Sequence, residues 1–153
     1  MIKSLVSLVG GLAGACVLTL VHELTRRVDP DAPRMDLLGM SALASLIKKG
    51  GGTPPEKDQL FGITMAGDVA GNALFYSLAG AGSKKGIWLR GLLLGLAAGT
   101  GAVYLPGPLG LPESPSNRTP QTKLMTLALY TLGGLVTAAT VELIEAREPQ
   151  RTV

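Results

Sequence analysis

Four polar residues, each four positions after the last, interrupt a long apolar stretch of the chain. They are Thr64, Asp68, Asn72 and Tyr76. This spacing places all four on one face of a helix, as a polar stripe. A carboxylate at the centre of a bilayer costs at least about 2.5 kcal/mol on insertion scales, and such groups often serve ion or proton pathways. The stripe therefore predicts one of two roles for Asp68: a proton or cation site, or a neutral carboxylic acid that hydrogen-bonds a neighbouring helix.

A second polar group lies at the end of the first apolar segment and comprises His22, Glu23 and Arg26. His22 is the only histidine, so any response of an imidazole to pH must use it. Arg26 follows it by four residues, which places both side chains on one helix face. The group predicts either a gate near Asp68 or a polar belt at the membrane surface, with arginines snorkelling toward water.

Basic and acidic residues alternate in the turn that follows, which also contains two prolines. Such a turn could hold a phosphate headgroup or a metal ion. Alternatively, its charges could neutralise one another in salt bridges at the bilayer surface. Beyond Arg26, its charged residues are Arg27, Asp29, Asp31, Arg34 and Asp36.

The composition places these groups in a membrane protein. Of 153 residues, 46% are hydrophobic and only 16% are charged, where a soluble domain has about 25% charged residues. The mean hydropathy is +0.35. A single cysteine excludes a disulfide scaffold. The net charge of +3 is too small and too dispersed to indicate nucleic-acid binding.

Long runs without formal charge predict four transmembrane helices, because a helix needs about 20 apolar residues to cross a bilayer core of roughly 30 Å. The expected fold is all-α and polytopic, a single membrane domain over residues 1–153. Four crossings put both termini on one side of the membrane, which we expect to be a prokaryotic inner (cytoplasmic) membrane. The predicted spans are 3–27, 58–82, 86–105 and 121–145.

The connection between the first two spans predicts a shorter amphipathic helix over 37–49. Asp36 is a suitable N-cap residue, and Lys48 and Lys49 suit the negative end of the helix dipole. This helix is too short to cross a bilayer. It is expected either to lie in the membrane interface or to cap the bundle.

The other long connection, 106–120, contains five prolines and is predicted to be non-helical. Thr119 and Pro120 at its end are suited to be the N-cap and first residue of the last span.

Small residues spaced four apart recur in every predicted span. In lipid, small residues let helix backbones approach closely and gain dispersion contacts. The pattern predicts tight helix packing, within one chain or between copies, and a homo-oligomer is expected. The glycines are Gly10, Gly14, Gly67, Gly71, Gly91, Gly95, Gly99 and Gly134.

The leading functional hypothesis is a small channel or transporter that moves a proton, an ion or a small solute past Asp68. One alternative is a structural, accessory or lipid-binding membrane subunit without transport. Another is a metal-assisted, lipid-modifying enzyme that uses His22, Glu23 and the acidic turn. The chain has no Walker-type phosphate loop and no Gly-x-Ser-x-Gly motif, and one histidine with one cysteine is too few for a structural zinc site. No cofactor or resident metal is identified, and the expected partners are membrane lipids and further copies of the chain.

Overall fold

The computed structural model describes residues 3–147, and this part of the chain is helical and contains no strand. The expected all-α class is confirmed. Short 3₁₀ turns at Leu78–Gly80 and Lys84–Gly86 connect the third and fourth helices. The helices are α1 (Lys3–Val28), α2 (Met35–Lys49), α3 (Lys57–Ser77), α4 (Ile87–Tyr104), α5 (Ser114–Asn117) and α6 (Pro120–Arg147).

Three helical segments are long and apolar enough to cross a membrane: α1, the segment Lys84–Tyr104 that contains α4, and α6. The remaining predicted span, 58–82, which corresponds to α3, is not among them. Its α-helix ends at Ser77, and Asp68 and Asn72 lower the mean hydropathy of its central part. The same residues that suggest chemistry therefore help to exclude α3 from the set of helices apolar enough to cross a membrane.

The central helix of the bundle is α6, which packs against α1 on one side and α4 on the other. Helix α3 packs against α1 and has few direct contacts with α4. At one end of the bundle, Lys84 pairs with Glu145 at 3.2 Å and the Trp88 indole donates to Glu142 at 2.7 Å. The two long connections meet at the other end, where the Arg34 N–H donates to the Pro115 carbonyl at 2.7 Å.

Glycines allow the close approach of the central helices. Gly91 and Gly134 pack backbone to backbone, so that a Cβ on either would collide with the carbonyl of the other. Gly10 and Gly14 lie against α6 at Thr137, while Gly95 and Gly99 lie against α6 near Tyr130. Gly67 and Gly71 differ from this pattern. A Cβ added at either would meet nothing within 4 Å, so their face of α3 contacts no other part of residues 3–147.

Helix α2 begins earlier than expected and enters the bundle. Its first residue, Met35, packs against the apolar cluster that contains Tyr76 and Tyr130. The expectation that Asp36 caps this helix was wrong, because Arg34 occupies the N-cap position and forms no side-chain cap bond. Asp36 lies inside the first turn, where arginine side chains engage its carboxylate.

The proline-rich connection is also more regular than expected, since it contains the four-residue helix α5. Its proline, Pro115, lies in the first turn, where a missing N–H costs no helical hydrogen bond. The expected start of the last helix is confirmed. The Thr119 hydroxyl accepts the N–H of Thr122 at 3.0 Å, and α6 begins at Pro120.

Candidate functional site: an apolar groove with one carboxylate

A cavity of about 240 Å³ lies among α2, α3 and α4, and Asp68 lines it. Its other lining residues are apolar, including Leu38 of α2 and Ala102 and Leu105 near the end of α4. Among the described residues, Asp68 is thus the one charged group that lines this cavity. Helices α3 and α4 have few direct contacts, and the cavity lies between them.

A second cavity of about 500 Å³ adjoins the first and shares Met35, Gly101, Ala102 and Leu105 with it. Its polar wall is formed by Asn72, one helical turn after Asp68. We refer to the two cavities together as the α3–α4 groove. Its defining residues are Met35, Asp68, Asn72, Phe75, Ala98, Ala102, Leu105 and Tyr130.

The four residues of the polar stripe of α3 therefore lie in three different environments. Thr64 is buried under α2, so close that a Cβ on Gly39 would lie 2.6 Å from its methyl group. Asp68 and Asn72 line the α3–α4 groove. Tyr76 is fully buried, and its hydroxyl donates to the Tyr130 carbonyl at 2.7 Å. Tyr76 thus joins α3 to α6, and only the middle of the stripe borders open volume.

The only histidine lies near Asp68. His22 is 7% exposed, and its Nε2 lies 2.7 Å from the carbonyl oxygen of Pro33. A carbonyl oxygen can only accept, so Nε2 carries the hydrogen and donates it. His22 and Asn72 are among the polar groups near enough to interact with the Asp68 carboxylate. The structure therefore brings the two polar groups of the sequence together at one depth of the bundle.

A charged cluster formed by Glu23, Arg26, Arg34 and Asp36 lies on the side of His22 toward the end of α1. Arg34 binds both carboxylate oxygens of Asp36, at 2.9 and 2.8 Å. Arg26 bridges Glu23 at 2.5 Å and Asp36 at 3.5 Å. Burial acts to raise the pKa of Asp36, but the Arg34 hydrogen bonds and the charges of Arg34 and Arg26 outweigh it and hold that pKa below its usual value. The Asp36 hydrogen bond raises the pKa of Arg34 in turn.

The remaining acids of the turn are engaged by its own backbone and by residues just before and at the start of α6. Asp29 accepts the N–H of Asp31 at 2.8 Å and the Gln121 amide at 3.1 Å. Arg118 contacts the carboxylate of Asp31 at 3.4 Å and the carbonyl of Pro30. Arg27 is exposed. Within residues 3–147, no group of three His, Cys, Asp or Glu side chains is arranged to hold a metal ion.

The α4 wall of the groove was not identified from the sequence, because its residues carry no polar group. A signal was nonetheless present, since Ala98 and Ala102 are small residues four apart on one helix face. The role of the Pro33 carbonyl as the partner of His22 had no sequence signal, because every residue has a backbone carbonyl.

No family model matches the chain, and comparison with curated proteins and with solved structures gives no match either. Function must therefore be inferred from the geometry of the groove and of the charged cluster beside it.

Proposed function

We propose that the protein is a small integral membrane transporter or channel, in which Asp68 binds the proton, ion or small solute that is moved. The observation that carries this proposal is the position of Asp68 as the one charged group lining the α3–α4 groove among the described residues. A carboxylate in apolar surroundings is stabilised by a proton or a cation. Binding and release at such a group are the elementary steps of transport.

In the membrane arrangement that we propose, α3 also crosses the membrane, which brings the number of crossings to four. Its 21 residues give a length of roughly 31 Å at 1.5 Å per residue, which matches a hydrocarbon core of roughly 30 Å. Both termini then lie on one side of what we take to be a prokaryotic inner membrane. The end of α2, with exposed Leu46, Lys48 and Lys49, lies at the membrane surface.

The segment from Pro33 to Asp36 is the gate in this proposal. Met35 lines both parts of the groove. On either side of it, Pro33 is bonded to His22, and Asp36 is held by Arg26 and Arg34. Breaking these bonds would free the segment to move and would change access to Asp68.

Flux measurements on purified protein in liposomes test this proposal. Wild-type protein should carry protons or a monovalent ion faster than empty liposomes, and Asp68→Asn and Asp68→Ala should abolish the difference. Asp58→Asn is the matched control, because Asp58 is an exposed acid in the first turn of the same helix. Background flux of the wild type across a panel of protons, Na⁺, K⁺, Cl⁻ and a small organic cation would refute the proposal.

A structural or accessory subunit is the second candidate, and the open face of α3 favours it. Gly67 and Gly71 offer a surface on which a helix of another copy or of a partner could pack closely. Crosslinking from introduced cysteines at these positions in native membranes would identify the neighbour. If the only neighbours found were lipids, this candidate would fail. The metal-assisted lipid enzyme is not proposed, because the acids of the turn are held by arginines and backbone groups.

A further inference from the structure

We infer that the α3–α4 groove binds lipophilic monovalent organic cations, with the cationic centre beside Asp68 and an apolar body along α4. This inference rests on the proposed function and names its substrate class. The groove combines one carboxylate with a wall of apolar side chains. That pairing of one negative charge with apolar surface complements an alkyl- or aryl-substituted ammonium ion.

The polar groups of the groove are too few for a compact metal cation. Hard cations such as Ca²⁺ or Mg²⁺ require about six or more oxygen ligands, from protein or retained water. The groove offers the carboxylate of Asp68 and the amide of Asn72, and the rest of its wall is mainly apolar. A substituted ammonium ion places alkyl groups around its charge, so it can contact Leu38 or Leu105 without losing a tightly held hydration shell.

The aromatic residues of the second cavity add to this preference. Phe75, about two turns beyond Asp68 on α3, and Tyr130 of α6 line it. Aromatic faces attract quaternary ammonium groups and also pack against apolar rings. Small-molecule sites usually have volumes of about 300–1,000 Å³. The larger cavity, of about 500 Å³, lies within that range but is open on one side, and the smaller one extends it to the carboxylate.

His22 is compatible with a cation beside Asp68. Its Nε2 hydrogen is donated to the Pro33 carbonyl. The Nε2 donor of His22 is therefore engaged by the backbone rather than by Asp68. The arginines of the charged cluster are paired with Glu23 and Asp36 rather than with Asp68.

Isothermal titration calorimetry on the purified full-length protein in detergent tests the inference without any gradient. The probe is benzyltrimethylammonium, and the comparison ligands are benzylsulfonate, which has the opposite charge, and Na⁺. We expect saturable binding of the organic cation only. Asp68→Asn should weaken it at least about tenfold, which corresponds to about 1.4 kcal/mol. Asp58→Asn should leave it unchanged.

A second pair of variants tests whether the volume of the groove is needed for binding, with the charge of Asp68 left in place. Ala102→Phe would fill the volume shared by both cavities and should also weaken binding at least about tenfold, while Asp68 is retained. Leu93→Phe is its control, because Leu93 is 55% exposed on α4 and does not line the groove. Circular dichroism and gel filtration establish that each variant is folded before its affinity is compared.

The outcomes separate this inference from the proposed function. Specific binding without flux of benzyltrimethylammonium, protons or inorganic ions in liposomes would support the groove as a cation site and refute transport. Asp68-dependent flux of protons or inorganic ions, without binding of benzyltrimethylammonium, would support transport and overturn the inference. Binding that neither Asp68→Asn nor Ala102→Phe weakens would also overturn it, because the cation would then be bound by the detergent or elsewhere on the protein.

Discussion

The His22 Nε2 atom donates a hydrogen bond to the Pro33 carbonyl oxygen at 2.7 Å, and this bond joins helix α1 to the residues that precede α2. Both groups are buried. The bond fixes the segment that carries Met35 into the bundle, and so defines one wall of the α3–α4 groove. The His22 side chain thereby connects the polar group at the end of α1 to the surroundings of Asp68.

Replacing His22 should destabilise the fold through the Pro33 carbonyl. His22→Leu leaves that buried acceptor without its partner, at an expected cost of about 1–3 kcal/mol. His22→Gln retains a side-chain N–H donor and should recover part of the loss. Thermal unfolding in detergent measures both variants, and equal melting temperatures for the leucine and glutamine variants would show that the hydrogen bond contributes nothing.

Asp36 should make the protein sensitive to acid. Its pKa is below the usual value of an aspartate in the folded state, so its ion pairs stabilise the fold above the unfolded pKa and are lost as pH falls through the folded pKa. Melting temperatures of wild type should therefore fall below about pH 4, near the unfolded pKa of Asp. Asp36→Asn should melt lower than wild type at neutral pH and lose this part of the pH dependence.

Exposure to solvent limits how much stability the ion pairs of Asp36 contribute. The Arg34 side chain is 39% exposed, so we expect Asp36→Ala to cost about 1–3 kcal/mol, less than a fully buried pair. Asp58→Asn serves again as the exposed control. A variant at position 36 as stable as wild type throughout the pH range would contradict the role assigned to these ion pairs.

Gly91 and Gly71 should respond in opposite ways to the same substitution. Gly91→Val forces a side chain against the carbonyl of Gly134, and such overpacking typically costs about 1–3 kcal/mol. Gly71→Val adds a side chain where nothing lies within 4 Å, so the stability of the isolated chain should not fall. Unfolding curves in detergent provide the comparison, and equal destabilisation by both would contradict the observed packing.

Tyr76→Phe should cost stability and leave the groove intact. The variant loses the hydroxyl bond to the Tyr130 carbonyl, worth about 0.5–1.5 kcal/mol. Tyr104→Phe is the control, since Tyr104 is 59% exposed. Because Tyr76 is fully buried in the core, we expect flux and ligand binding to persist after Tyr76→Phe. Loss of either, in a folded variant, would place Tyr76 in the site.

The long helices were predictable because charged residues are absent, or nearly so, from the segments that form them. The charge-free run after Lys3 predicted a helix over 3–27, and α1 extends from Lys3 to Val28. The predicted length of the third helix was too great. The α-helix changes to a 3₁₀ turn at Leu78, and Gly80 in that turn packs against Ser7. Helix length in that region depends on a contact between distant parts of the chain, which hydropathy does not reveal.

The candidate site was only partly predictable for the same reason. Asp68 and Asn72 were identifiable because a polar group in an apolar helix is conspicuous. The opposite wall at Ala102 and the entry of Met35 into the bundle are apolar contacts between separate helices. No local pattern specifies which apolar face meets a given carboxylate, so the groove became evident only in the folded chain.

The measurement that tests the central claim most directly is the initial rate of proton and monovalent cation flux into liposomes at equal protein content. Wild type and Asp58→Asn are expected to exceed empty liposomes to the same extent, while Asp68→Asn falls to the background rate. Equal rates for wild type and Asp68→Asn would contradict a transport role for the Asp68 carboxylate.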